Sequence, residues 1–454
     1  MTSRDNAGRV PADRKNRVRG ARRRIYLHIG EPKTGTTFLQ RALWTNRGWL
    51  AARGVTLPGY KRQDHSRASR DLRGTPRAVG DPADPWTGEW EVLAGQALHA
   101  PATAIISDEV LAACNPPQAD RAVRSLLPAE VHIVLTVRDL GTLLPTEWQE
   151  TVKCRGTVPW DEWLSDVIDV QSVAANRRRW PFWMVHDTLA TLAMWSQHVP
   201  PDQVHVITVP QQGAPHTLWM RFASVLGIDP GGADLTRAHG NLSLGLPEAE
   251  FMRRMNEALP EEMPYWFYTR NIKRVLAHEV LDARPRLVRL SLPPDRQAWA
   301  RQQAEILIAG LRDSKFHIVG DLGELLPPPA TGPYLAPADQ PAEQLLDAAV
   351  AAAAALAHHD YREKYPVRLH PSRWGSPRHM ASRLKWAMLN GRRVKRVLRK
   401  ASYVPAVRRL RIVIWRALIR PAHRRALSAD RHLGRAGDVA CAGMTAPLTR
   451  RRGS

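Results

Sequence analysis

The sequence predicts an α/β fold, a P-loop-type parallel sheet of about five strands flanked by helices. Two observations predict it. Short apolar runs recur at residues 25–29, 55–57, 104–107, 131–137 and 204–209, and helix-length segments separate them, as a parallel sheet requires. In addition, the first run leads through a glycine-bounded loop into a segment that opens a helix, the order of a phosphate-binding turn.

That first unit is the most informative. After Tyr26 to Ile29 come Gly30, Glu31, Pro32, Lys33, Thr34, Gly35, Thr36, Thr37 and Phe38. Backbone N–H groups of such a turn converge on an anion, the helix N-terminus adds its positive dipole end, and Lys33 supplies a mobile cation. A nucleoside-triphosphate loop reads G-x-x-x-x-G-K-[ST]. Here Gly30 and Gly35 keep the glycine spacing, Thr36 stands where that lysine belongs, and the lysine has moved three residues upstream. This placement argues against an Mg-ATP or Mg-GTP site. The run 55–57 predicts the second strand, and 104–107 the third, which delivers the Ser107-Asp108-Glu109 turn. Residues 131–137 form an apolar run of the kind found in buried parallel strands, and Arg138 and Asp139 follow it directly. Arg138 offers a planar fork able to grip two phosphate oxygens, and Thr146, eight residues later, offers a hydroxyl. The run 204–209 is the fifth strand. In doubly wound sheets ligands collect at the carboxyl ends of the strands, so Lys33, Glu109 and Arg138 are expected around one crevice.

Pro32 to Phe38 resemble the 5′-phosphosulfate loop of sulfotransferases that use 3′-phosphoadenosine 5′-phosphosulfate (PAPS), whose motif is P-K-[ST]-G-T-T followed by an aromatic residue. Arg138 and Thr146 resemble the 3′-phosphate site of that family, with threonine in place of serine. Segments 180–187, 195–209, 218–229, 241–245 and 319–322 have the look of bacterial members, so the resemblance covers roughly residues 24–326. It implies sulfuryl transfer from PAPS to a hydroxyl, less readily an amine, of a carbohydrate, glycolipid or secondary metabolite. It also implies that Pro32, Lys33, Thr34, Gly35, Thr36, Thr37, Phe38, Arg138 and Thr146 hold the nucleotide. The family's R-K-G element over the 3′-phosphate has no clear counterpart, Lys273-Arg274 being a weak stand-in.

Sulfuryl transfer needs positioning and charge stabilisation more than covalent work by the protein. Lys33 is the candidate to reach the bridging oxygen. A sulfate ester carries less charge than a terminal phosphate, so no divalent metal is implied, and no carboxylate cluster with ligand spacing stands beside the loop. A base must take the acceptor's proton, and three residues compete for that role. Glu109 follows the third strand, where the alternative reading is a helix N-terminal acid. His65 follows the second strand, in a loop where histidines commonly serve as polar surface. His186 stands beside Asp187 in an aromatic-rich segment, where packing is the alternative. Trp148 and Glu150 lie one turn beyond Thr146 and read either as acceptor contacts or simply as the start of that helix. The acceptor pocket is expected from residues 59–100 and 155–190.

Composition limits the rest. The net charge of +23 divides into +7 over residues 1–24, −6 over 25–360 and +22 over 361–454, so an ordinary slightly acidic region stands between basic ends. The organisation expected is a disordered tail (1–24), the sulfotransferase-like domain (25–326), a Pro/Ala-rich linker and helix (327–360) and a basic helical tail ending in disorder (361–454). Three cysteines without metal-ligand spacing, no signal-peptide pattern and no run of roughly 20 apolar residues point to the cytoplasm. Interleaved arginines and apolar residues between 382 and 425 suit an anionic membrane surface, as at the inner membrane face. Nucleic acid is not favoured, because no recognised module accompanies the charge. The alternative function is a non-catalytic P-loop scaffold whose basic tail binds membrane or polyanion. The oligomeric state is not readable.

Overall fold

The structure is a computed structural model that describes residues 23–75, 87–169, 181–238, 240, 243–282, 284, 289–329 and 333–364. The expectations for residues 1–22 and for the basic tail beyond 364 lie outside the described residues.

Six parallel strands form one sheet in the order β2-β3-β1-β4-β5-β6. They are β1 (Arg24–Gly30), β2 (Val55–Thr56), β3 (Thr103–Ser107), β4 (Glu130–Val137), β5 (Val204–Thr208) and β6 (His317–Val319). The five runs read from the sequence are all strands, and β6 is an addition at the edge. The central β1 pairs with β3 on one side and β4 on the other, with Leu27 opposite Ile106 and Ile133. Chain order reverses here, because β3 and β4 leave β1 in opposite directions. The crevice beyond the carboxyl ends of these three strands is therefore the switch point where ligands bind in such sheets.

Alternation along β1 sets the layers. Ile25, Leu27 and Ile29 enter a core with the helices α3 (Glu89–Leu98), α4 (Pro116–Arg124), α8 (Thr188–Trp195) and α11 (Pro294–Asp313). Tyr26 points the other way and packs with α1 (Thr36–Thr45) and α9 (Ala214–Val225). A third core joins α5 (Leu140–Lys153), α6 (Trp160–Ile168), α10 (Leu246–Ala258) and the π-helix Thr269–Leu281, with Trp148, Trp160, Met252 and Tyr268 at its centre. The Ala-rich segment forms the helix α12 (Ala342–Lys364), whose Ala352 is buried in this third core. No helix among the described residues is long and apolar enough to cross a membrane.

Candidate active site

The loop after β1 is bent by two residues of positive φ, Lys33 at 60° and Gly35 at 86°. A side chain at Gly35 would run into Leu218 of α9, so the close approach of loop and helix needs glycine. Gly35→Ala should cost about 1–3 kcal/mol of stability, from strain at positive φ and overlap with Leu218, read as a lower denaturant midpoint at unchanged m. Gly35 is the N-cap of α1, so the first amides of that helix have no intrahelical partner and face the loop's concave side.

Three chain segments meet above this turn. A cleft of about 690 Å³ is lined by Pro32, Lys33, Gly35, Thr36, Thr37 and Phe38 from the loop and α1, by Glu109 after β3, and by Arg138 after β4. Thr142, Thr146, Gln149, Glu150 and Lys153 of α5 also line it. Arg138 braces the loop, its Nη1 donating to Lys33 O at 3.4 Å, and burial pushes its guanidinium below the ordinary value. Asp139 holds the start of α5 by accepting from Thr142 N at 2.8 Å. Thr146 Oγ1 donates to Thr142 O at 2.7 Å, so it would turn that proton to reach an anion. Of Pro32 to Phe38, Thr34 is the one residue that does not line the cleft. It is fully buried, with its hydroxyl 2.5 Å from Glu31 O and from Thr136 Oγ1, and it braces the loop against β4.

Lys33 is the electrostatic centre. Its ammonium is ion-paired with Glu150, and Glu150 also accepts from Lys273 Nζ at 2.8 Å. Burial alone would lower the Lys33 pKa, but the carboxylates of Glu150, Glu147 and Glu109 outweigh it and hold the lysine above its ordinary value. Burial likewise works to raise the Glu150 carboxyl, yet Lys273, Lys33 and Lys153 together hold it well below the usual range. Glu150 is therefore an ionised anchor and a poor proton acceptor.

The three candidate bases part company. Glu109 lines the cleft, and Gln40 Nε2 donates to its Oε2 at 2.5 Å. His65 is fully buried, accepting from Ser107 N at 3.1 Å on Nδ1 while Nε2 meets Pro58 O at 2.9 Å. Both ring nitrogens are used, and burial lowers its pKa to about 4, so His65 is a neutral staple between β3 and the preceding loop. His186 ends α7 (Pro181–His186), closed off from solvent. Its ring nitrogens lie 3.5 Å from Glu31 Oε2 and 3.9 Å from Glu147 Oε2. Asp187 caps the next helix through Ala190 N at 3.0 Å and does not orient the ring. Burial would lower the His186 pKa, but Glu147 and Glu31 raise it to about 9, so the imidazole is cationic near neutrality. A folded-state pKa raised in this way stabilises fully below the unfolded value of about 6.5, and the gain is lost as pH rises through 9. His186→Gln should therefore lose several degrees of Tm at pH 6, with the deficit shrinking by pH 9.5 in thermal unfolding scans.

The far wall was not read from the sequence. Gly240, Ser243, Leu244, Arg289 to Leu292, Gln297, Pro328 and Pro329 form it, whereas none of the described residues within 59–100 and 155–190 lines this cleft. The expected Pro-rich linker thus begins at the cleft itself. Lys273 and Arg274 do not cover the cleft either: Lys273 is buried on Glu150, and Arg274 lies 3.8 Å from Glu279. Trp148 is core, donating to Val158 O at 3.1 Å, whereas Glu150, two residues on and so on another face of α5, lines the cleft. The pair Trp148 and Glu150 carries no sequence signal that separates core from site.

No family model and no curated protein matches the chain. Among solved structures, a sulfotransferase from Alicyclobacillus acidocaldarius is similar at 17% identity, over 46% of this chain and 84% of that one, with a TM-score of 0.29.

Proposed function

We propose that the cleft binds PAPS and transfers its sulfuryl group to a hydroxyl of a carbohydrate, glycolipid or secondary metabolite. One observation carries the reading. Lys33 with the α1 N-terminus, Arg138 with Thr146, and Glu109 come from three separate segments and line one cleft. A volume of about 690 Å³ suits a nucleotide together with part of an acceptor. The loop amides, Thr36 and Thr37 would hold the 5′-phosphate, and Phe38 would border the base. Arg138 and Thr146 would take the 3′-phosphate, with Arg289 adding a cation from the opposite wall.

In the reaction the acceptor oxygen attacks sulfur and forms the new S–O bond. The bond from sulfur to the nucleotide phosphate breaks, and its electron pair stays on the phosphate oxygen. Lys33 offsets the charge that gathers there, and Glu109 receives the hydroxyl proton. Pre-placed donors in a partly desolvated cleft need no reorganisation during the step, which is where the rate gain arises.

Incubation of the full chain with radiolabelled PAPS and pooled sugars, glycolipids and phenols tests this directly. Label is expected in an acceptor product together with release of PAP, the desulfated nucleotide. A folded protein that neither transfers label nor binds PAPS would overturn the proposal.

A further inference from the structure

We propose that Lys273, buried behind the cleft, is a positioning residue that frees Lys33 for an incoming anion by keeping Glu150 neutralised when Lys33 leaves it. The inference rests on the reading of the cleft as a nucleotide site and concerns how its central lysine becomes available.

Glu150 is a carboxylate 5% exposed, and its two oxygens are divided between two lysines. Oε2 pairs with Lys33 and Oε1 with Lys273 at 2.8 Å. These lysines differ in reach. Lys33 lines the cleft with its side chain 15% exposed, whereas Lys273 is 1% exposed on the π-helix and does not line it. Lys153, the other nearby cation, is engaged by Asp282 at 3.0 and 3.3 Å, and Asp282 is also met by His278 Nδ1 at 3.0 Å.

Moving Lys33 from Glu150 to an anion leaves a buried carboxylate behind. Stranding such a charge is among the costliest events in a protein interior. With Lys273 on Oε1 the carboxylate keeps a direct ion pair, and Lys33 can exchange one anion for another. Without Lys273, Glu150 would depend on Lys33, and an incoming anion would have to compete for it. The cleft side of the pair is the one an incoming anion can reach and the buried side is not, a division that follows from their exposures.

The test uses the full chain as Lys273→Gln, Lys273→Arg, Glu150→Gln and the double variant Glu150→Gln/Lys273→Gln, each checked by thermal unfolding and titrated with PAP. Lys273→Gln should bind PAP about tenfold more weakly, because Lys33 stays on Glu150. Lys273→Arg should bind like the wild type. The double variant, which has no carboxylate to strand, should return to within about threefold of wild type. Lys273→Gln binding like wild type, or a folded double variant as weak as Lys273→Gln, would overturn the proposal.

A second arm needs no nucleotide: reductive methylation of Lys33, followed by mass spectrometry. Lys33 should react more slowly in Lys273→Gln and faster in Glu150→Gln than in wild type, and unchanged rates would overturn the inference. If wild type bound no PAP, the proposed function would fail, while the methylation rates would still decide whether Lys273 governs Lys33.

Discussion

Lys33→Ala is expected to lower kcat for sulfuryl transfer by about 10²–10³-fold, the loss typical for removing one pre-placed donor aimed at developing charge. The fold should survive. Glu150 loses one partner but keeps Lys273 at 2.8 Å and Lys153 nearby, so its charge is not abandoned. PAP binding should weaken only about tenfold, because the α1 amides and Arg138 still hold the phosphates. The distinguishing feature is the split: kcat falls far more than affinity, since the lysine's charge matters most when the leaving oxygen gains its own. Steady-state kinetics with PAPS varied at saturating acceptor measure it. A loss of PAP affinity with kcat unchanged would place Lys33 in ground-state binding alone.

Glu109→Gln is the second large effect. The variant keeps the shape of the side chain, and the amide can still meet Gln40, but it cannot take a proton. The rate of transfer should fall by about 10²–10⁴-fold with PAP affinity unchanged. Asp108 directly precedes Glu109. Burial and then the charge of Glu109 raise its pKa to about 7, so Asp108 is largely protonated at pH 6. A kcat that is unchanged in Glu109→Gln would remove Glu109 from the proton path.

The sequence was most legible where local chemistry and local geometry agree. The loop from Pro32 to Phe38 is one continuous stretch of chain, so its spacing alone pointed to residues that line the cleft. Arg138 was legible because it directly follows an unbroken apolar strand, and Thr146 because it stands eight residues on, in α5, and both line the same cleft. The edge strand β6 was missed, since three residues with an exposed histidine at the start carry too little pattern. Thr34 looked equivalent to its hydroxyl neighbours, but the turn directs it under the loop toward Thr136, a partner 102 residues away. The histidines failed for a related reason. Whether His65 or His186 faces a cleft or a core depends on Pro58, Ser107, Glu31 and Glu147, which only the fold assembles. The Lys33–Glu150–Lys273 system spans more than a hundred residues on each link and leaves no local trace.

Calorimetric titration of the full chain with PAP, beside Mg-ATP and with Arg138→Ala as control, tests the central claim most directly. Wild type should bind PAP at one site, Mg-ATP should give no comparable response, and Arg138→Ala should lose at least about 30-fold in PAP affinity by leaving the phosphate without its fork. A folded wild-type protein that ignores PAP, or binds Mg-ATP equally well, would contradict the assignment of the cleft.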